Sequence, residues 1–287
     1  MSGPAADSQV SGRAGPRAGI LDGMLSSFLD QPGPLAFAHR GGAAHGPENS
    51  WAAFERAVDL GFRYLETDVQ ATSDGMLIAF HDRTLDRVTD RTGRIARMPY
   101  RVVAAARIGG KEPIPLLEDL LGAWPEARFN IDMKDESAIA PLVRVLRRTA
   151  AWDRVCVTSF SSRRLHAFRQ SVDRQVCTTL SPLGLAAIHS GALACGMSTR
   201  LARAGVRCAQ IPARLATPAF LGRLRRSGLQ IHVWTVNEPA LMRRLLDLAV
   251  DGIMTDDTVA LRDVLTERAQ WHGTGTGTGG RGAGGTG

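Results

Sequence analysis

Residues 64–69 read YLETDV, a short run of strand-forming residues in which two carboxylates, Glu66 and Asp68, stand two positions apart. Side chains at i and i+2 of a strand point the same way, so Glu66 and Asp68 project together while Leu65 and Val69 face the opposite side. Just upstream lies a helix. Asn49 or Ser50 caps it, Trp51, Phe54, Ala57 and Val58 keep one apolar face, and Gly61 stops it. Before the helix comes another strand, Leu35–His39. Downstream the same alternation recurs through Arg128–Met133, Val155–Ser159, Gln175–Thr179, Cys208–Ile211, Gln230–Thr235 and Gly252–Thr255, with a segment of helical period after each. Eight βα units in series predict an α/β fold, a closed (β/α)8 TIM barrel with its strands parallel. A doubly wound open sheet is the alternative, and against it no GxGxxG follows the first strand.

One interval breaks the rhythm. Some forty-five residues separate YLETDV from the helix near Leu116–Trp124, so an insertion, about residues 76–114, sits after the second strand. Its start, Met76–Asp82, resembles a strand paired to the end of its neighbour, and loops in this position line the mouth of a barrel. The barrel domain spans residues 35–272. Residues 1–34 are rich in Gly, Pro, Ala and Ser and read as a flexible segment, with a short amphipathic stretch, Ile20–Leu29, suited to covering the barrel bottom; residues 273–287, almost wholly Gly and Thr, read as a disordered tail.

The formal charge of +7 arises from Lys and Arg spread along the chain, as in Arg144, Arg147 and Arg148. That pattern suits solvated helix faces and a mild field for an anionic substrate better than a nucleic-acid surface. Cys156, Cys177, Cys195 and Cys208 show no CxxC spacing, no apolar run reaches the length of a membrane span, and no signal-peptide pattern opens the chain. A reduced, cytoplasmic protein without stable membrane insertion is expected, with Cys156, Cys177 and Cys208 as buried small hydrophobes in strands.

Polar residues cluster where a barrel enzyme needs them, at the C-terminal ends of strands. The first ends in His39-Arg40-Gly41-Gly42, the second carries Glu66 and Asp68, the insertion presents His81-Asp82, and the third carries Asn130, Asp132 and Lys134. Three carboxylates converging on one spot from two strand ends need raised pKa values or a bound cation. Oxygen ligands without Cys or His favour a hard ion, Mg²⁺ or Ca²⁺, over zinc. Trp234, next to Val233 on the seventh strand, either faces the mouth as an apolar wall or packs in the barrel, and Phe160 is a weaker candidate for the same wall.

These stretches resemble the glycerophosphodiester phosphodiesterase family. AHRGGAAHGPENSWAAF, YLETDVQATSDGMLIAFHDRTLDRVTDRTG, IPLLEDLL, FNIDMK, SFSSRRL, VWTVNEP and DGIMTDD occur in the family's order from about residue 36 to 262. The resemblance implies that His39 and His81 act as general acid and base, that Glu66, Asp68 and Asp132 hold one divalent cation, and that Arg40 and Lys134 bind phosphate. It implies metal-dependent hydrolysis of a glycerophosphodiester to sn-glycerol 3-phosphate and an alcohol. Asp132 departs from the Glu that the family's NIEIK places there, and Leu116 from its usual Thr. Glu48, within PENS, matches a polar position of the mouth and is expected to orient His39 or to contact a substrate hydroxyl. A lysophospholipase D acting on longer lipid substrates is the alternative within the enzyme class, and a catalytically inactive binding barrel the alternative outside it.

Overall fold

The computed structural model describes residues 27–191 and 197–273. The segment expected at residues 1–34 and the tail at 273–287 fall for the most part outside that range, as does Cys195. In chain order the elements are β1 (Leu35–Ala38), α1 (Trp51–Asp59), β2 (Tyr64–Ala71), β3 (Leu77–Ala79), α2 (Tyr100–Val103), β4 (Arg107–Ile108), β5 (Glu112–Pro113), α3 (Leu117–Ala123), β6 (Arg128–Met133), α4 (Ile139–Thr149), β7 (Val155–Thr158), α5 (Ser162–Ser171), β8 (Cys177–Thr179), α6 (Pro182–His189), α7 (Met197–Arg203), β9 (Val206–Pro212), α8 (Pro218–Arg226), β10 (Gln230–Trp234), α9 (Pro239–Asp247), β11 (Gly252–Thr255) and α10 (Thr258–Glu267).

Eight of the strands are parallel and follow one another around the sheet as β1, β2, β6, β7, β8, β9, β10 and β11, and β1 pairs with both β11 and β2, closing the barrel. Within the insertion, β3 runs antiparallel to the end of β2, with Val69 opposite Ala79. The predicted strands are all present. β9 begins two residues earlier than the sequence suggests, at Val206, and β8 two later, at Cys177.

Strand periodicity sorts the core into two layers. Outward-facing Ala36, Leu65, Phe129, Ile131, Val157, Ile211, Val233 and Ile253 pack with the helices. Inward-facing Leu35, Phe37, Tyr64, Cys156, Cys177, Cys208 and Met254 fill the lower barrel, where Phe28 and Leu29 close the bottom. Among the described residues the bottom is covered by a short turn, Ser27–Leu29, tied in place by the Tyr64 hydroxyl, which donates to the Phe28 carbonyl at 2.8 Å; residues 20–26 of the expected covering helix lie outside the described range. The insertion has a small core of its own in Ile78, Phe80, Leu85, Ile95, Val103 and Ile108. That core lets the insertion hold His81 against the rim instead of leaving it on an unsupported loop. Among the described residues, no helix is long and apolar enough to cross a membrane.

Candidate active site

The first strand ends in a turn that only an unusual backbone permits. Arg40, Gly41 and Gly42 have φ of 50°, 80° and 92°, and Asn49 closes the loop at φ 54°. Glycine enters this region freely, and Asn tolerates it better than most residues. At Gly41 a Cβ would lie 2.9 Å from the Ala53 Cβ and from the Phe54 nitrogen, so the turn lies directly on α1. The Ser50 side chain caps that helix by accepting from the Ala53 N–H at 3.2 Å. The tight turn aims the Arg40 N–H at the Glu66 carboxylate, 3.0 Å away, and leaves His39 beside it, with Nε2 3.8 Å from Glu66 Oε2.

A cavity of about 370 Å³ opens at the C-terminal ends of the strands. His39, Arg40, Glu66, Asp68, His81, Asp132, Lys134 and Trp234 all line it, together with Phe160. The structure thus brings together eight of the nine residues read from the sequence as site residues. The ninth, Glu48, stands just behind: its carboxylate accepts from Arg40 Nη1 at 3.0 Å and from Arg87 Nη2 at 2.6 Å. Of the two roles expected of it, orienting His39 has no contact behind it, since Oε1 accepts from both arginines and Oε2 from Arg87 Nη1 at 3.1 Å; contact with a substrate hydroxyl stays an expectation.

His39 is oriented instead by Asp256, which follows β11. Asp256 Oδ1 lies 2.7 Å from His39 Nδ1, and its Oδ2 accepts from Asn237 Nδ2 at 3.0 Å. Burial disfavours the charged imidazole, but Glu66 and Asp256 outweigh it and hold the His39 pKa above the ordinary histidine value. His81 has a parallel arrangement: its Nδ1 is 2.6 Å from Asp82 Oδ1, while Asp82 Oδ2 accepts from Arg87 Nε at 2.6 Å. The Arg87 hydrogen bond holds the Asp82 carboxyl down at about 2. In both pairs a carboxylate beside Nδ1 favours the tautomer protonated there and leaves Nε2 able to exchange a proton.

Between the histidines lie the carboxylates. Lys134 Nζ contacts Asp68 Oδ1 at 2.7 Å and Asp132 Oδ2 at 2.6 Å, and Arg40 Nε approaches Asp68 Oδ2 at 3.2 Å. Asn49 Nδ2 adds a hydrogen bond to Asp68 Oδ2 at 3.0 Å. Despite burial, Lys134 and Arg40 keep Asp68 below the usual carboxylate range. Glu66 behaves oppositely: burial and the Asp68 charge push it up to about 7. Burial likewise raises Asp132, and its Oδ1 is buried without a hydrogen-bond partner. Two fixed cations do not satisfy three buried carboxylates. The unpartnered Asp132 oxygen and the elevated Glu66 mark a set of carboxylates short of positive charge, which a hard divalent cation would supply, although the three do not bring one oxygen each within 4.8 Å of one another.

Opposite the charged wall, Trp234 and Phe160 form an apolar one, their rings edge to face with centroids 5.5 Å apart. The Lys134 ammonium stands 5.5 Å from the Phe160 ring centre, so the charged and aromatic walls meet there.

Two residues escaped the sequence reading. Asp256 stands one residue beyond the eighth strand, within DGIMTDD, and the strand-end rule applied to the first three strands would have picked it out. Arg87, within the insertion, had no comparable signal, because its partners Glu48 and Asp82 lie on two different loops.

The arrangement can be set against known proteins. Residues 39–260 match the model of the Glycerophosphoryl diester phosphodiesterase family. A Mycobacterium tuberculosis protein, "Probable glycerophosphodiester phosphodiesterase 2", is 41% identical over 256 residues, covering 86% of this chain and 96% of its own length. A human protein named Lysophospholipase D GDPD1 is 26% identical, covering 79% of this chain and 85% of its own. The solved structure of an Oleispira antarctica phosphodiesterase in complex with its product sn-glycerol-3-phosphate superposes with a TM-score of 0.70 at 22% identity, covering 82% of this chain and 97% of that one.

Proposed function

The chain belongs to the glycerophosphoryl diester phosphodiesterase family, and from that premise we propose that it hydrolyses glycerophosphodiesters to sn-glycerol 3-phosphate and an alcohol, with His39 and His81 exchanging protons and Glu66, Asp68 and Asp132 holding one divalent cation, Mg²⁺ or Ca²⁺. The observation that carries the reading is the pair of carboxylate-anchored histidines flanking the buried carboxylates in one cavity.

When bound there, a divalent cation supplies Lewis-acid polarisation of a phosphate oxygen. Arg40 and Lys134, on the same wall, share the remaining negative charge of the phosphate. One imidazole Nε2 takes the proton of the attacking water, and the other gives a proton to the departing alkoxide; where the glycerol hydroxyl attacks first, the alcohol leaves from a cyclic phosphodiester that a water, activated by the same pair in reverse, then opens to sn-glycerol 3-phosphate. Asp256 and Asp82 keep both rings in the tautomer these transfers need and stabilise whichever imidazolium forms. Trp234 and Phe160 offer their faces to the glycerol carbons or to the substituent.

A second reading, lysophospholipase D, has one observation behind it. Among the described residues the two exposed large hydrophobics are Phe160, 67% exposed on the cavity wall, and Leu183, 72% exposed in the first turn of α6, whose N–H donates at 3.1 Å to Ser162 Oγ at the start of α5. An acyl chain leaving the cavity would pass over them.

The test is hydrolysis of glycerophosphocholine, glycerophosphoethanolamine and lysophosphatidylcholine, with and without EDTA, for the wild type and for His39→Ala. Metal-dependent release of sn-glycerol 3-phosphate, abolished by the substitution, is expected. Cleavage of the lysolipid alone would move the assignment to lysophospholipase D, and EDTA-resistant turnover would remove the metal from it.

A further inference from the structure

Three cysteines from three successive strands meet beneath the catalytic layer. Cys156 on β7, Cys177 on β8 and Cys208 on β9 all point into the barrel, with their sulfurs within 4.8 Å of one another and those of Cys156 and Cys208 3.8 Å apart. All three are buried, and their surroundings, Phe28, Leu35, Phe37 and Tyr64, are apolar or aromatic. None of them has a part in the phosphodiesterase chemistry above. We propose that Cys156, Cys177 and Cys208 form a three-sulfur site for Cu(I).

The spacing matches the ligand. A closed-shell ion bonded to sulfur at about 2.3 Å holds three sulfurs in its plane about 4 Å apart. Soft thiolates select soft ions, Cu(I) among them. A structural zinc site wants four ligands, and among the described residues no histidine or carboxylate joins the three sulfurs.

The charge can be accommodated too. Cu(I) held by two thiolates and one thiol, with two protons released to solvent, leaves one negative charge in the barrel. Arg169 on α5, on the helix side of β8, is a cation whose field reaches Cys156. Its guanidinium donates to Thr178 Oγ1 at 2.9 Å and to the Thr179 carbonyl at 2.8 Å, it makes no ion pair among the described residues, and Cys156 is the acid whose charge it feels. Phe28 and Leu29 cover the lower end of the barrel beneath the three sulfurs.

The experiment is an anaerobic Cu(I) titration of the full chain against bathocuproine disulfonate, carried out in a Cys195→Ser background so that only the three barrel cysteines report. One Cu(I) per chain with a three-sulfur shell by X-ray absorption is expected, and Cys208→Ala should weaken binding at least 100-fold. Uptake no greater than that of Cys208→Ala, a shell containing nitrogen or oxygen, or tighter binding of Zn²⁺ than of Cu(I) would overturn the proposal. Should Cys208→Ala fail to fold by circular dichroism, the absorption spectrum of the Cys195→Ser protein decides alone.

Discussion

Replacing Asp256 by Asn tests the dyad that sequence reading missed. The carboxylate serves two donors at once, His39 Nδ1 at 2.7 Å through Oδ1 and Asn237 Nδ2 at 3.0 Å through Oδ2. An amide keeps one oxygen, so only one donor can be satisfied, and either His39 loses its anchor and its fixed tautomer or Asn237 turns away. The lost interaction is a hydrogen bond to a charged group, about 1.5–3 kcal/mol, which corresponds to a fall in kcat/KM of about 10- to 150-fold if the bond is fully developed in the transition state. The sign of the pH effect also follows. Burial lowers the His39 pKa, while Glu66 and Asp256 raise it above the ordinary value; removing the Asp256 charge leaves burial less opposed, so the limb of the kcat/KM profile that reports His39 moves to lower pH. The assay is kcat/KM for glycerophosphocholine from pH 5 to 9 under saturating metal, for wild type and Asp256→Asn. A variant within about twofold of wild type, with an unmoved limb, would refute the dyad.

Three further outcomes are expected. Gly41→Ala places a Cβ 2.9 Å from backbone at a φ of 80°, and should cost roughly 1–3 kcal/mol, read as a lower thermal midpoint accompanied by reduced activity, because the same turn carries His39. Asp82 has its pKa depressed to about 2, so the stability it contributes is present above its ordinary value near 4 and falls away as pH drops from 4 through 2; urea midpoints of wild type and Asp82→Asn should differ at pH 6 and draw steadily together as pH falls below 4. Lys134→Met removes the ammonium between Asp68 and Asp132, and should lower kcat/KM by roughly 10²- to 10³-fold while divalent-cation affinity, measured calorimetrically, does not weaken, since the donor carboxylates lose a competing cation.

The barrel could be read because a period of two and a period of 3.6 leave traces in every unit, and the trace needs no knowledge of what lies across the sheet. YLETDV and FNIDMK even predict which side chains share a face, and the parallel register places Asp68 opposite Asp132, as that alternation implies. What could not be read is set by contacts between distant segments. Glu48 carries no mark telling whether its oxygens go to a histidine or to arginines; that depends on where the insertion folds Arg87, and the small core of Ile78, Phe80 and Leu85 decides it. Likewise, Cys156, Cys177 and Cys208 were each correctly placed as buried strand residues. Their meeting was not visible, because it depends on the stagger between strands, and the register shift at Thr178 and Thr179 between β8 and β9 is a matter of three-dimensional closure.

The two histidine–carboxylate pairs show the same limit acting on chemistry. His81 and Asp82 are neighbours, so their pairing was available as a dipeptide, and the carboxylate is further fixed by Arg87. His39 and Asp256 are 217 positions apart, and only closure of the barrel, which sets Ala38 opposite Thr255, brings the ends of β1 and β11 together. The first pair sits on the insertion and can move with it; the second is built across the seam of the barrel and cannot move unless the seam opens. His39 is thus the histidine whose position relative to Glu66 is set by the scaffold, and His81 the one whose position is set by the insertion. Substitutions in the insertion core, such as Leu85→Ala, should therefore impair the step served by His81 while leaving the His39–Asp256 geometry intact.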